Sequence, residues 1–257
     1  RMTIPESLRP FVRQVRKTVD LPMVHPGTRV NSSPNSANSQ TFSYGSNVIP
    51  STIMNAYGYD SSASAASVSQ GIFEVPSQVV CNADLELFQN KYSLKRQDIS
   101  GSYGEASGSC GGEASLDAQY IMAVAQDANT YVFYGEDYVD AITQLMYMDD
   151  LVSVVSISYA QDESTVSDDE FTSFDSLAMK LGLVGTTLVV SAGDDGAHSR
   201  DIRFSVGGIE SCGYEPSWPA SSPYVTAVGA TMGPEYHSEE VVCQSNGGGL
   251  ITSGGGF

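Results

Sequence analysis

The sequence predicts an α/β domain in which helices cover both faces of a parallel sheet. Two expected strands, LVSVVSISY (residues 151–159) and TTLVVSA (residues 186–192), are nearly continuous apolar runs, and a segment with helical periodicity lies between them. Strands of this kind are typical of parallel sheets that are buried on both sides. The chain has 257 residues, of which 41% are hydrophobic, and is therefore long enough for one large domain of this class.

Helices and strands are expected to alternate along the chain. A first helix begins at Pro50, where a proline is well suited to the first helical turn. Further helices are expected over residues 82–92, 113–126, 137–149 and 168–181, and strands over residues 71–75, 130–134, 151–159 and 186–191. Trp218, Met146 and Met148 are expected to pack in the core. Ligands of such sheets bind beyond the carboxyl ends of the strands, which directs attention to the residues that follow them.

The beginning of the chain differs in composition from the remainder. Six of the twelve Lys and Arg residues lie in the first thirty positions, and a Ser- and Asn-rich run follows from Val30 to Ser46. This composition is typical of an exposed connecting segment. We therefore expect residues 1–40 to form a separate tail and linker, and residues 41–257 to form the domain.

The charge of the chain excludes several classes of function. Thirty acidic residues against twelve basic ones give a net charge of −18, which repels the phosphates of nucleic acids and anionic lipid. No apolar run approaches the roughly 18 to 20 residues that a membrane span needs. Protonation of carboxylates at about pH 4 to 5 would relieve the repulsion within the chain, so an acidic working environment is predicted.

The cysteines favour no metal site. Cys81, Cys110, Cys212 and Cys243 show no CxxC spacing and have no clustered histidines, so a zinc site is not expected. Disulfide bonds are compatible with this composition, and their pairing is left open.

Three acidic residues are the candidates for catalysis. Asp194 directly follows the strand TTLVVSA, and Glu113 and Asp117 share one face of a helix that begins after a glycine-rich loop. Spacing alone is weak evidence, because Glu136 and Asp140 have the same interval. Glu113 and Asp117 differ from them in having apolar neighbours and no basic residue nearby in the sequence. Two partly buried carboxylates titrate as a coupled pair, with one pKa raised.

Several segments resemble the sedolisin family of serine-carboxyl peptidases, in the order and at the approximate spacings of that family. They are EASLDAQYIMAVAQDANTYVFY, SISYAQDE, VVSAGDDGA, WPASSPYVTAVGAT and the terminal SGGGF. The early segment IPESLRPFVRQVRKTVDLP resembles the end of a family prosegment. The resemblance covers residues 48–257 and implies a subtilisin-like fold, here as an incomplete domain, with residues 1–40 as the tail of a prosegment.

The resemblance also implies a role for each acidic candidate. Glu113 would be the general base that takes the proton of a nucleophilic serine, and Asp117 would orient Glu113. Asp194 would carry a proton and donate to the oxyanion. A carboxylate base suits this chemistry because it stays ionised in acid, where a histidine would be protonated. An Asp of ordinary pKa, about 3.9, is half protonated near pH 4 but almost fully ionised at pH 7, which predicts an acid optimum.

A further family segment, Ser158, Tyr159 and Ala160, would pair with the substrate backbone as an added strand. The family more often has glycine where this chain has Ala160, and an ordinary strand end is the alternative interpretation. The family's SGTS motif, which carries the nucleophile, is absent from the sequence. We therefore expect the serine, and the calcium ligands that the resemblance implies, to be supplied from beyond residue 257 or by a second chain.

The sequence therefore predicts a portion of an acid-acting peptidase precursor. Its substrates would be peptides or proteins, cleaved internally or by removal of tripeptides, in a lysosome, in another acidic compartment of the secretory pathway, or after secretion. Two alternatives remain. One is an inactive homologue that only binds, and the other is an acid glycosidase, which also uses paired carboxylates.

Overall fold

The structure is a computed structural model that describes residues 47–59, 64–198 and 214–255. The expected prosegment tail, residues 1–40, lies outside these residues. A search of the described residues finds no helix with the length and hydropathy needed to cross a membrane.

Six parallel strands form the central sheet, in the order β10-β8-β6-β1-β5-β3. These strands are β1 (Ser69–Glu74), β3 (Gly101–Tyr103), β5 (Asn129–Tyr134), β6 (Val154–Ile157), β8 (Thr187–Ser191) and β10 (Thr226–Val228). The remaining short strands form three separate pairs: β2 (Gln78–Val79) with β4 (Ser109–Cys110), β7 (Gln161–Asp162) with β9 (Ser217–Trp218), and β11 (Thr231–Met232) with β12 (Val241–Val242). The predicted parallel α/β class is confirmed.

Helices lie on both faces of this sheet, as predicted. The five α-helices of the described residues are α1 (Pro50–Tyr57), α2 (Asn82–Lys91), α3 (Gly112–Val124), α4 (Tyr138–Leu145) and α5 (Asp168–Leu183). Phe73 of β1 packs in a cluster with buried residues of α4 and α5, whereas its neighbour Ile72 packs with Ala118 of α3. Because successive side chains of a strand point to opposite faces, α3 covers one face and α4 and α5 cover the other.

The larger core cluster is aromatic. Trp218 is buried against Phe171 and Phe174 of α5, with ring centroids 4.3 and 4.9 Å apart, which confirms that Trp218 packs in the core. Met148 also packs against this cluster. The same expectation for Met146 is wrong, because its side chain is 40% exposed. Helix α4 ends at Leu145, four residues earlier than predicted, and Met146 follows the last turn that packs on the core.

The strand predicted over residues 151–159 is shorter than expected. Only Val154–Ile157 pair in the sheet, and the chain leaves the ladder at Ser158. This early exit carries Ser158, Tyr159 and Ala160 to the carboxyl edge of the sheet, on the same side as the end of β8.

Candidate active site

One cleft at the carboxyl edge of the sheet brings together all six residues that the sequence predicted. Its volume is about 470 Å³, and its lining includes Glu113, Asp117, Asp194, Ser158, Tyr159 and Ala160. Three elements supply them: the first turns of α3, the chain after β6, and the loop after β8. The cleft therefore lies where a parallel sheet presents ligand sites, beyond the ends of its strands.

Helix α3 presents its two acids to the cleft because of its spacing. Glu113 and Asp117 stand one turn apart on one side of the helix, while Ala114 and Ala118 are buried against the sheet side. Small alanines let the helix approach the sheet closely. Glu113 also lies in the first turn, where the positive end of the helix dipole favours a negative charge.

The environment of Glu113 disfavours its charged form. Burial raises the pKa of Glu113 above its ordinary value, and the nearby charge of Asp194 raises it further. The interaction with Asp194 links residues from two different elements, α3 and the β8 loop. Both carboxyl groups line the same cleft.

Asp117 is the deeper member of the pair. Burial is the main cause that raises the pKa of Asp117 to about 6, a hydrogen bond from the Ser158 side chain lowers it, and the charge of Glu113 raises it. Among the described residues, Asp117 Oδ2 is buried with no hydrogen-bond partner. A proton on this carboxyl group would remove the cost of a buried charge.

Glu74 is a fourth acidic residue behind the cleft that the sequence interpretation missed. It ends β1, its side chain is 0% exposed, and its Oε1 has no hydrogen-bond partner among the described residues. Its Oε2 accepts a hydrogen bond of 2.8 Å from the Tyr159 hydroxyl. Burial raises the pKa of Glu74 to about 8, against the opposing effect of the Tyr159 bond, and the charges of Asp117 and Glu113 add to the rise. The sequence contains one signal for this residue: Glu74 is an acidic residue at the end of the otherwise apolar segment GIFE.

The expected substrate segment is itself held in place by these acids. The Tyr159 hydroxyl is committed to Glu74, and its ring packs edge-on against Phe73 with centroids 5.5 Å apart. Burial and the bond to Glu74 also raise the pKa of Tyr159. The Ser158 side chain donates a hydrogen bond to the Asp117 carboxyl group. The side chains of Ser158 and Tyr159 therefore face the acids, so the substrate pairing expected of this segment would use its backbone.

The loop that carries Asp194 is fixed by the last described residues of the chain. Gly193 has a φ of +95°, and the Asp194 carbonyl accepts from the Thr252 N–H at 2.9 Å. The Gly254 N–H donates to the Gly193 carbonyl at 2.8 Å. A Cβ at Gly254 would lie 1.9 Å from the backbone oxygen of Ala192, so only glycine allows this approach. Gly254 thus supports the Asp194 loop.

The described residues bring His, Cys, Asp or Glu side chains together in one place where three of them could hold a metal ion. The one group of three candidate ligands found among them is Cys81, Asp84 and Cys110, and the two cysteines are joined in a disulfide bond. Calcium takes six to eight oxygen ligands, which this group cannot supply. Cys243 is buried and unpaired, and Cys212 lies outside the described residues.

Comparisons with known proteins find similar sequences and a similar structure. No family model matches the chain. The chain is 30% identical over 265 residues to "Tripeptidyl-peptidase 1" of Mus musculus, an alignment of 96% of this chain and 45% of that protein. It is 32% identical over 173 residues to the protein of the same name from Dictyostelium discoideum, covering 64% of this chain and 27% of that protein. The chain thus spans less than half the length of these relatives.

A solved structure agrees in fold. The structure of Pseudomonas sedolisin, a serine-carboxyl proteinase complexed with two molecules of pseudo-iodotyrostatin, is similar with a TM-score of 0.64 and 26% sequence identity. The similarity covers 80% of this chain and 62% of that one.

Proposed function

The chain belongs to the sedolisin family of serine-carboxyl peptidases, and from that premise we propose that its full-length protein hydrolyses peptide bonds in acid. Glu113, Asp117 and Asp194 would act together in the cleft. The observation that carries the proposal is the convergence of these acids, from α3 and from the β8 loop, on one cleft.

Glu113 is the base in this proposal, because the two more deeply buried acids nearby hold their protons. Asp117, with a pKa of about 6, and Glu74, with a pKa of about 8, both keep their protons in acid. At about pH 4 to 5 a neutral Asp117 adds no negative charge beside Glu113 and can donate a hydrogen bond to it. Glu113 is then free to lose its own proton and accept one from a hydroxyl group.

Asp194 has the opposite task. A carboxyl group can donate a hydrogen bond to a developing oxyanion only while it carries its proton. Protonation of Asp194 also removes the charge that raises the pKa of Glu113. One protonation event therefore supplies the oxyanion donor and favours the ionised base. Donors of this kind lower the barrier by about 3 to 4 kcal/mol in related chemistry.

The reaction would proceed through an acyl-enzyme. As the serine oxygen attacks the carbonyl carbon, its proton moves to Glu113, and the carbonyl oxygen takes up negative charge beside Asp194. Glu113 then gives the proton to the leaving amine as the C–N bond breaks. Glu113 next takes a proton from water, whose oxygen attacks the ester carbon, and gives that proton to the serine oxygen as the C–O bond to serine breaks and the acyl group leaves as a carboxylic acid. The sequence has no SGTS motif, so the serine in this proposal comes from beyond residue 257 or from a second chain. No step uses calcium.

The substrates proposed are peptides or proteins in an acidic compartment such as the lysosome. The net charge of −18 supports an acidic setting. The name of the relatives favours removal of tripeptides over internal cleavage. Membership of a peptidase family leaves the glycosidase alternative without support.

The test is product analysis with the full-length protein. A peptide of ten residues with a free amino terminus is incubated between pH 3 and 5, and its fragments are identified by mass spectrometry. We expect successive loss of tripeptides, and no cleavage of the same peptide with an acetylated terminus. Cleavage of both peptides at internal bonds would indicate an endopeptidase. Absence of any cleavage would contradict the proposed function and support the inactive homologue.

A further inference from the structure

Helix α3 begins without a cap from its own chain segment. Its N-cap is Gly111, which has no side chain that could accept a hydrogen bond from the N–H groups of the first turn. The first four N–H groups of a helix have no partner within the helix. One of them, the N–H of Glu113, instead donates to Gln78 Oε1 at 3.2 Å. Gln78 belongs to β2, so a residue of another element takes the place of the cap.

A glycine at position 111 lets the Gln78 side chain come close to the start of the helix. A Cβ at Gly111 would lie 2.5 Å from Gln78 Oε1 and 2.7 Å from Gln78 Cβ. Any side chain at position 111 would therefore displace the Gln78 side chain from the helix terminus. The backbone φ of Gly111 is −100°, which any residue can adopt, so close packing against Gln78 is what requires glycine here.

Strand β2 is tied to the segment before α3 at several points. It pairs in parallel with β4, and the Gly111 N–H donates to the Val79 carbonyl at 3.1 Å. Just beyond these contacts, the disulfide bond joins Cys81 to Cys110. Position 110 is three residues before Glu113. The covalent link therefore holds Gln78 and the start of α3 together.

The neutral amide also suits the charge of the cleft. Side chains that cap helices are usually Ser, Thr, Asp or Asn, and a carboxylate here would add to an acidic lining. The lining already includes five acids: Glu113, Asp117, Asp162, Asp194 and Asp195. A glutamine offers the same acceptor oxygen without a charge that would raise the pKa of Glu113 further.

We propose that Gln78 is the positioning residue of the general base: it caps α3 from β2, fixes the first turn, and so holds the Glu113 carboxyl group in reach of the serine. The proposal rests on the proposed function, because Glu113 has its catalytic role there. Catalytic geometry is sensitive, since a displacement of about 1 Å can cost about 100-fold in rate.

The first test compares Gln78→Met with Gln78→Glu in the full-length enzyme. Met removes the acceptor, and we expect kcat to fall about 10- to 100-fold with KM within about twofold. Glu keeps an acceptor oxygen in either protonation state, so it should restore kcat at the optimum. It should also move the acid limb of the kcat profile to higher pH, because a carboxylate beside Glu113 raises its pKa. The lowered kcat at unchanged KM in Gln78→Met, with recovery of kcat in Gln78→Glu, marks the positioning role, whereas the shift checks only that position 78 lies close to Glu113.

Two further variants check the geometry. Gly111→Ala should reproduce the loss of kcat by displacing Gln78, even though Gln78 itself is unchanged. Gln119→Met is the matched control, because Gln119 also lies on α3 and its amide donates to the Asp84 carbonyl at 3.3 Å, away from the cleft. We expect Gln119→Met to leave kcat within about twofold.

A second measurement does not depend on activity. Hydrogen exchange of the Glu113 amide should be about tenfold faster in Gln78→Met than in the wild type, and close to the wild-type rate in Gln78→Glu. Unchanged exchange, or faster exchange in Gln78→Met with an unchanged kcat, would overturn the proposal. If no variant and no wild-type sample has peptidase activity while exchange responds as expected, the proposed function fails and the cap by Gln78 stands.

Discussion

Tyr159, which is partly buried, donates a hydrogen bond to Glu74 behind the cleft. Glu74 is fully enclosed, and the Tyr159 hydroxyl supplies the one hydrogen bond found for its carboxyl group among the described residues. A buried polar group that loses its partner costs more than an exposed one, because water cannot replace the bond. The pair therefore links the expected substrate segment after β6 to the end of β1.

Tyr159→Phe should destabilise the protein by about 1 to 3 kcal/mol, because it leaves Glu74 Oε2 buried without its donor. Tyr147→Phe is the matched control: its side chain is 80% exposed, and its effect should stay within about 0.5 kcal/mol. Urea unfolding of the full-length variants at pH 5 measures both. Equal stability of the two variants would show that the Tyr159 bond contributes nothing.

The sequence located the catalytic candidates but not their surroundings. Glu113, Asp117 and Asp194 could be predicted because helical spacing and strand ends are local features of the chain. The contacts of Glu74 and Gln78 could not be predicted, because they join residues that are 35 or more positions apart: Glu74 with Tyr159, and Gln78 with Glu113. Nothing in the local sequence of either residue predicts its partner.

The helices and strands show the same difference between local features, which could be predicted, and long-range contacts, which could not. The parallel class and the order of helices and strands could be read from apolar periodicity. The ends of β6 and α4 could not, because they depend on where the neighbouring strands and the core stop. The glycine run near the end of the chain was equally ambiguous, since its contact with Ala192 joins residues that are 62 positions apart.

Two glycine substitutions compare a position where close packing requires glycine with a position where it does not. Gly254→Ala should destabilise the full-length protein by about 1 to 3 kcal/mol and lower kcat, because the new methyl group meets the Ala192 carbonyl and displaces the Asp194 loop. Gly182→Ala, in the last turn of α5, meets nothing within 4 Å and should stabilise the protein by about 0.5 to 1 kcal/mol. Thermal melts and peptide hydrolysis distinguish them. A tolerated Gly254→Ala would mean that the loop does not need this contact.

At the scale of the whole molecule, the buried acids couple stability to pH. The pKa of Glu74 rises from its ordinary 4.5 to about 8, so the folded protein binds more protons than the unfolded chain between these values. Stability is then fully present below about pH 4.5 and is lost as the pH rises to about 8. The raised pKa of Asp117, about 6, acts in the same direction over a lower range.

Glu74→Gln should flatten this dependence. The amide is neutral at every pH and can still accept from Tyr159, so the fall in the free energy of unfolding from pH 5 to 8 should shrink by an amount on the order of a few kcal/mol. Urea titrations at pH 5, 6.5 and 8 measure the slope. Parallel curves for the wild type and the variant would contradict the assignment of a raised pKa to Glu74.

In the proposed function Glu113 is the base and Asp194 the acid of one catalytic cleft, and kcat at pH 4 for the full-length Glu113→Gln and Asp194→Ala variants tests these roles most directly. We expect each to fall about 100- to 10,000-fold with an unchanged melting temperature. The matched control Glu136→Gln, in an exposed pair with the same spacing, should stay within about twofold of the wild type. Rates near that of the wild type in Glu113→Gln or Asp194→Ala would contradict these roles.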